Sequence, residues 1–140
     1  MDQAVNTYEK AIADNPSYAP AMRQLALLYG QLATDSPKAY ELVTKAHQAF
    51  PGDAAIAKTL GILSYRQGFY PQSVELLKEA AAKRSDDPEI LYYLGEVHRQ
   101  LKEYTECKSE LERALTLNLS PGLANDAKSA LGECSESSPQ

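Results

Sequence analysis

The sequence predicts an all-α fold, a solenoid of antiparallel helix pairs, and three observations carry that reading. Leu60-Gly61 recurs 34 residues later as Leu94-Gly95, and Tyr70, Leu77 and Ala80 recur at the same spacing as Tyr104, Leu111 and Ala114. Apolar residues follow three- and four-residue spacing over 19–32, 37–49, 54–67, 71–84, 88–101 and 103–118, the periodicity of helices with one buried face. The joins between these stretches are short, so consecutive helices are antiparallel neighbours. A fixed period with sparse identities marks stacked supersecondary units in which each recurring residue has a packing role.

Taken in order, the chain opens on half a unit. Ala4, Tyr8, Ala11 and Pro16 match the second half of the pattern, so residues 1–15 read as the second helix of an incomplete repeat, as in a piece of a longer array. Residues 19–53 form the next repeat, with Leu25-Ala26 in place of Leu-Gly and Tyr29, Ala39, Val43, Ala46 and Pro51 following. This unit is one residue longer than its neighbours, and the turn from Ala33 to Pro37 is where a loop absorbs the insertion. Residues 54–87 and 88–121 are the two most similar repeats. Asp53, Asp87 and Ser36 stand as N-caps, with Pro37 and Pro88 at the first helical position. Beyond Pro121, Leu123, Ala127, Ala130 and Leu131 indicate a capping helix over 122–132 that ends near Gly132. Residues 133–140 are polar and Ser-rich, and are expected to be a disordered tail.

Composition excludes several classes. The 140-residue chain carries a net charge of −5, which disfavours sequence-independent nucleic-acid binding, since that needs a basic surface. No apolar run approaches the roughly 20 residues that span a bilayer, so no membrane insertion is expected and the chain reads as soluble, cytoplasmic or periplasmic. Cys107 and Cys134 are too few for a disulfide framework and lack metal-ligand spacing, and His47 and His98 fall in different units; no metal or cofactor is expected.

Leu91, Leu94, Gly95, Tyr104, Leu111 and Ala114 in one unit, and Leu60, Gly61, Gly68, Tyr70, Leu77 and Ala80 in the one before, resemble the tetratricopeptide repeat family. The resemblance covers residues 1–121. It departs from the family pattern at Cys107 in place of an alanine, His98 in place of an aromatic, Ala57 where bulk is usual, and Ser85 in place of proline. It implies a right-handed superhelical solenoid and a non-catalytic protein–protein interaction module or scaffold. The stretch from Asp53 through Ala114, with Ser120-Pro121 and an Ala-rich helix after it, is also loosely similar to the C-terminal repeats of longer bacterial proteins of this family, some of which accompany export systems. Small residues at Ala26, Gly61 and Gly95 let the second helix approach closely, and Val43, Leu77 and Leu111 fill the space between helices.

No phosphate-binding or hydrolase motif appears. Cys107 and His98 lie on either side of the Leu101-to-Glu103 turn of a helical hairpin, and a Cys–His pair is the beginning of a nucleophilic site. No third group or oxyanion donor accompanies them and both stand at packing positions, so the chain reads as not an enzyme; a thiol-dependent enzyme is the remote alternative. Glu106 and Glu110 share a helix face with Lys102, Lys108 and Arg113 close by, the pattern of a solvated outer surface.

In a stack of such units the first helices line a concave groove. Its candidate partner-binding residues are those the packing pattern does not claim: Arg23, Gln24, Leu27 and Gln31; then Lys58, Thr59, Ile62, Tyr65 and Arg66; then Tyr92, Tyr93, Glu96, Arg99 and Gln100. Four basic residues on the three first helices against Glu89 and Glu96 give a mildly positive, tyrosine-containing strip. The expected ligand is a protein or peptide segment bearing acidic residues or a carboxylate. The family's carboxylate clamp for chaperone tails is absent, because its places hold Arg23, Leu27, Thr59, Glu89 and Tyr93. An alternative is self-association, or continuation of a larger array, through Val5, Tyr8 and Ile12 of the opening helix, which lacks the covering of a first helix.

Overall fold

The computed structural model describes residue 10, residues 23–28 and residues 37–137. Residues 23–28 are helical, and six helices follow: α1 (Pro37–Ala49), α2 (Ala54–Arg66), α3 (Tyr70–Lys83), α4 (Pro88–Gln100), α5 (Tyr104–Thr116) and α6 (Pro121–Ser137). Each helix packs on its sequence neighbours, and α4 also touches both α2 and α6 across the stack. The 23–28 segment, α2 and α4 are thus first helices, α1, α3 and α5 are second helices, and α6 closes the array. The opening helix with Val5, Tyr8 and Ile12, the turn over 33–36 and Gln31 lie outside the described residues.

The starts of α2 and α4 are set by aspartates. Asp53 Oδ1 accepts from the amides of Ala55 (3.0 Å) and Ile56 (3.2 Å), and Asp87 Oδ1 from those of Glu89 (2.9 Å) and Ile90 (3.2 Å). Each satisfies amides that the helix itself leaves unpaired. The hairpin turns also recur. Gly68 (φ 85°) and Lys102 (φ 62°) occupy the same repeat position. Their amides bond Tyr65 O and Arg99 O, while the next amides, of Phe69 and Glu103, reach back to Ser64 O and His98 O. This left-handed helix ending turns the chain into the second helix in both repeats.

The core is a column of such contacts. A β-carbon on Gly61 would lie 2.8 Å from both Cγ and Cδ2 of Leu77, and one on Gly95 would lie 2.6 Å from the same atoms of Leu111. Absence of a side chain at the first position therefore admits the leucine of the second helix. Leu25, Ala26, Ala39, Val43, Ala46 and Leu60 continue the column at one end, and Leu94, Ala114 and Ala127 at the other.

Two expectations are corrected at the carboxyl end. The last helix runs to Ser137, so residues 133–137 are helical rather than tail. Gly132 has open space where a β-carbon would stand and does not break the helix. The physical reason lies two residues further, at Cys134, which is fully buried and disulfide-bonded to Cys107 of α5 with a Cα–Cα distance of 6.3 Å. Two cysteines do not build a framework of bridges, but one bridge here fastens the closing helix to the last repeat.

Candidate functional site

Two depressions lie on the first-helix face among the described residues. The first, about 360 Å³, is lined by Leu27 of the 23–28 segment, by Ala55, Lys58, Thr59 and Ile62 of α2, by Arg84 of the α3–α4 turn and by Glu89 of α4. Three successive first helices thus share one surface. The second, about 230 Å³, lies where α4 meets α6 and is lined by Tyr92, Glu96, Arg99, Asp126, Ser129, Ala130 and Glu133.

Three cations of this face, Arg23, Lys58 and Arg99, are engaged by neighbouring carboxylates. Arg23 Nε donates to Asp53 Oδ2 at 2.7 Å. Lys58 Nζ lies 3.0 Å from Asp87 Oδ2 and 3.0 Å from Glu89 Oε1. Each aspartate therefore caps its own helix with one oxygen and holds the preceding first helix with the other, a ladder that fixes repeat to repeat. Burial pushes the Asp53 carboxyl up, but the Arg23 guanidinium and the two capping amides together hold it below its ordinary value. At the next rung the sequence has Tyr92 in place of the cation and Pro121 in place of the aspartate, and the ladder ends.

Aromatic packing takes its place. Tyr92 and Tyr93 are buried, at 6% and 9% exposure, with ring centroids 4.9 Å apart in an edge-on contact, and Tyr93 meets Tyr65 edge-on at 5.9 Å. Arg66 Nη2 donates to the Tyr93 hydroxyl at 3.4 Å. Tyr65 donates to Glu96 Oε2 at 3.3 Å, and Arg99 donates to the same oxygen at 3.1 Å and to Glu133 Oε2 at 2.9 Å. Burial first, then the Glu96 carboxylate, pushes the Tyr65 phenol up to about 12. Thr59 is buried and its hydroxyl turns back to Ala55 O at 2.9 Å. Gln24 and Gln100 are exposed.

Of the residues that the sequence assigned to the face, Thr59, Tyr92, Tyr93 and Glu96 are buried, the last three at or beside the second depression. It missed Arg84, Asp126 and Glu133. Asp126 and Glu133 are seven residues apart, two turns of one helix, a signal hidden by ending that helix at Gly132.

The Cys–His pairing does not form. Cys107 is consumed in its disulfide, and His98 Nδ1 lies 2.5 Å from Glu110 Oε1. Ser73, at the repeat position of Cys107, is buried and donates to Gly61 O at 2.6 Å, whereas the Cys107 sulfur is bonded across to α6. Among the described residues no helix is long and apolar enough to cross a membrane, and no group of three or more His, Cys, Asp or Glu is placed to hold a metal ion.

Helix pairs at a fixed period, stacked with a lined face on the first-helix side, define a helical-repeat scaffold. Residues 58–106 match the tetratricopeptide repeat family. The chain is 36% identical over 85 residues to the TPR repeat-containing protein PA4667 of Pseudomonas aeruginosa, covering 61% of this chain and 14% of that protein. It is 25% identical over 118 residues to the TPR repeat-containing protein YpiA of Bacillus subtilis, covering 80% of this chain and 28% of that one. Among solved structures, MamA superposes with a TM-score of 0.74 at 20% identity, covering 84% of this chain and 69% of its own. The Yersinia enterocolitica type III secretion chaperone SycD, solved in complex with a peptide of the translocator YopD, superposes with a TM-score of 0.69 at 18% identity, covering 84% and 92%. Over residues 58–106 the helix pairs are of the tetratricopeptide type, and the fold is in general terms that of a protein-interaction module. The chain spans well under a third of the length of both curated relatives.

Proposed function

We propose that the chain is a non-catalytic scaffold that binds an extended segment of a partner protein along its first-helix face. The observation that supports this reading best is the first depression, where Leu27, Lys58, Ile62 and Glu89 bring three successive first helices to one surface. An apolar floor of Leu27 and Ile62 offers burial for a side chain, and the polar rim offers orientation. Lys58 is held by Asp87 and Glu89, so the exposed Arg84 is the cation at this end that suits an acidic residue or a terminal carboxylate of the segment. The same fold in SycD accommodates a peptide, which is the class of ligand proposed here.

The test is selection of binders from a random peptide library on the folded chain, followed by affinity measurement against two variants. Ile62→Arg fills the first depression and is expected to weaken binding at least roughly tenfold, about 1.4 kcal/mol. Lys78→Glu, on the exposed side of α3, is expected to leave it unchanged. Equal binding to wild type and Ile62→Arg would remove this face from the reading.

A further inference from the structure

The two depressions differ in charge. At the second, three carboxylates, Glu96, Asp126 and Glu133, face a single guanidinium, that of Arg99. Arg99 is already shared between Glu96 Oε2 and Glu133 Oε2. Glu96 itself is more than nine-tenths buried, and while its Oε2 receives Tyr65 and Arg99, its Oε1 has no hydrogen-bond donor. A buried carboxylate oxygen without a donor is unfavourable, and a donor brought from outside the chain relieves it. The Tyr92 phenol in the same depression is held well above its ordinary value, by burial first and then by the Glu96 and Asp126 carboxylates. The carboxylates do not converge as metal ligands.

We propose that the depression between α4 and α6 is a subsite for a basic side chain, lysine or arginine, of the segment bound along the first-helix face. This rests on the groove reading above and names the chemistry of its far end. The aliphatic stem of the side chain lies against the Tyr92 ring and Ala130, and its N–H groups face Asp126 and Glu96. A segment with acidic character at the α2 end and a basic residue at the α6 end matches both depressions, and the charge pattern fixes the direction in which it lies.

The test uses peptides selected from the random library on the full chain. Selected sequences are expected to share a Lys or Arg at one position. Replacing that residue by norleucine, which keeps the stem and removes the charge, is expected to weaken binding to wild type roughly tenfold. The same replacement is expected to weaken binding clearly less, roughly threefold, in the Asp126→Asn, Glu133→Gln double variant, which keeps only the Glu96 carboxylate; its altered side chains are exposed and its fold is checked by circular dichroism. Peptides that depend on Ile62 but carry no shared basic residue, or an equal loss in both proteins, overturn the subsite and leave the groove standing. Peptides indifferent to Ile62→Arg, or a library that yields no binder, overturn the groove and the subsite with it.

Discussion

Breaking the bond between Cys107 and Cys134 removes the one covalent tie between the closing helix and the last repeat. The two cysteines are 27 residues apart, and a loop of that size closed in the unfolded chain corresponds to about 3.5 kcal/mol in the chain-entropy model. For a chain of this length such a change lowers the melting temperature by about 10 °C. Both sulfurs are fully buried, so Cys134→Ala removes the cross-link with little loss of volume. The assay is thermal unfolding followed by circular dichroism, for the oxidised protein, the protein held in reductant, and Cys134→Ala. Both perturbed forms are expected to melt early and to the same extent, because they lose the same constraint. A thiol reagent is expected to label neither cysteine in the oxidised folded protein. Superimposable melts in all three cases, together with rapid labelling of Cys107, would refute the reasoning.

Further expectations follow from single positions. Gly95→Ala puts a β-carbon 2.6 Å from Leu111, and is expected to cost on the order of 1–3 kcal/mol in denaturant unfolding, with Gly122→Ala, where the space is open, showing no such loss. Lys102 is exposed and held at φ 62°, so Lys102→Gly is expected to raise stability by roughly 1 kcal/mol, and an unchanged midpoint would contradict the turn described. Burial lowers the pKa of His98, but the Glu110 hydrogen bond and charge outweigh it and hold the imidazole above 6.5. A raised folded value means that this contribution is complete below pH 6.5 and fades as pH rises through the folded value. The stability difference between wild type and Glu110→Gln is therefore expected to shrink on going from pH 6 to pH 9, and a difference constant across that range would exclude the pairing.

The recurring Leu-Gly, Tyr and Ala positions were legible in the sequence because packing demands size and spacing, and both are written in residue type. Gly61 against Leu77 and Gly95 against Leu111 are the clearest cases. The first-helix face was legible only by subtraction, and subtraction cannot see one side chain serving two partners. Asp53 and Asp87 look like caps and nothing more in sequence, yet each also holds a cation of the preceding repeat. Tyr92 and Tyr93 were left unclaimed by the pattern, but their rings turn inward where the cation ladder stops. The disulfide was hidden for a related reason. A Ser-rich stretch after a glycine reads as a tail by composition, whereas a buried sulfur on the face toward α5 holds it as helix to Ser137.

The central claim, that partners bind on the first-helix face, is tested most directly by titrating the isotopically labelled chain with a library-selected peptide and following its backbone amide resonances. The largest shifts are expected at Leu27, Lys58, Thr59, Ile62 and Glu89, around the first depression. Shifts concentrated instead on the exposed residues of the second helices, such as Glu75, Lys78 and Lys108, would contradict it.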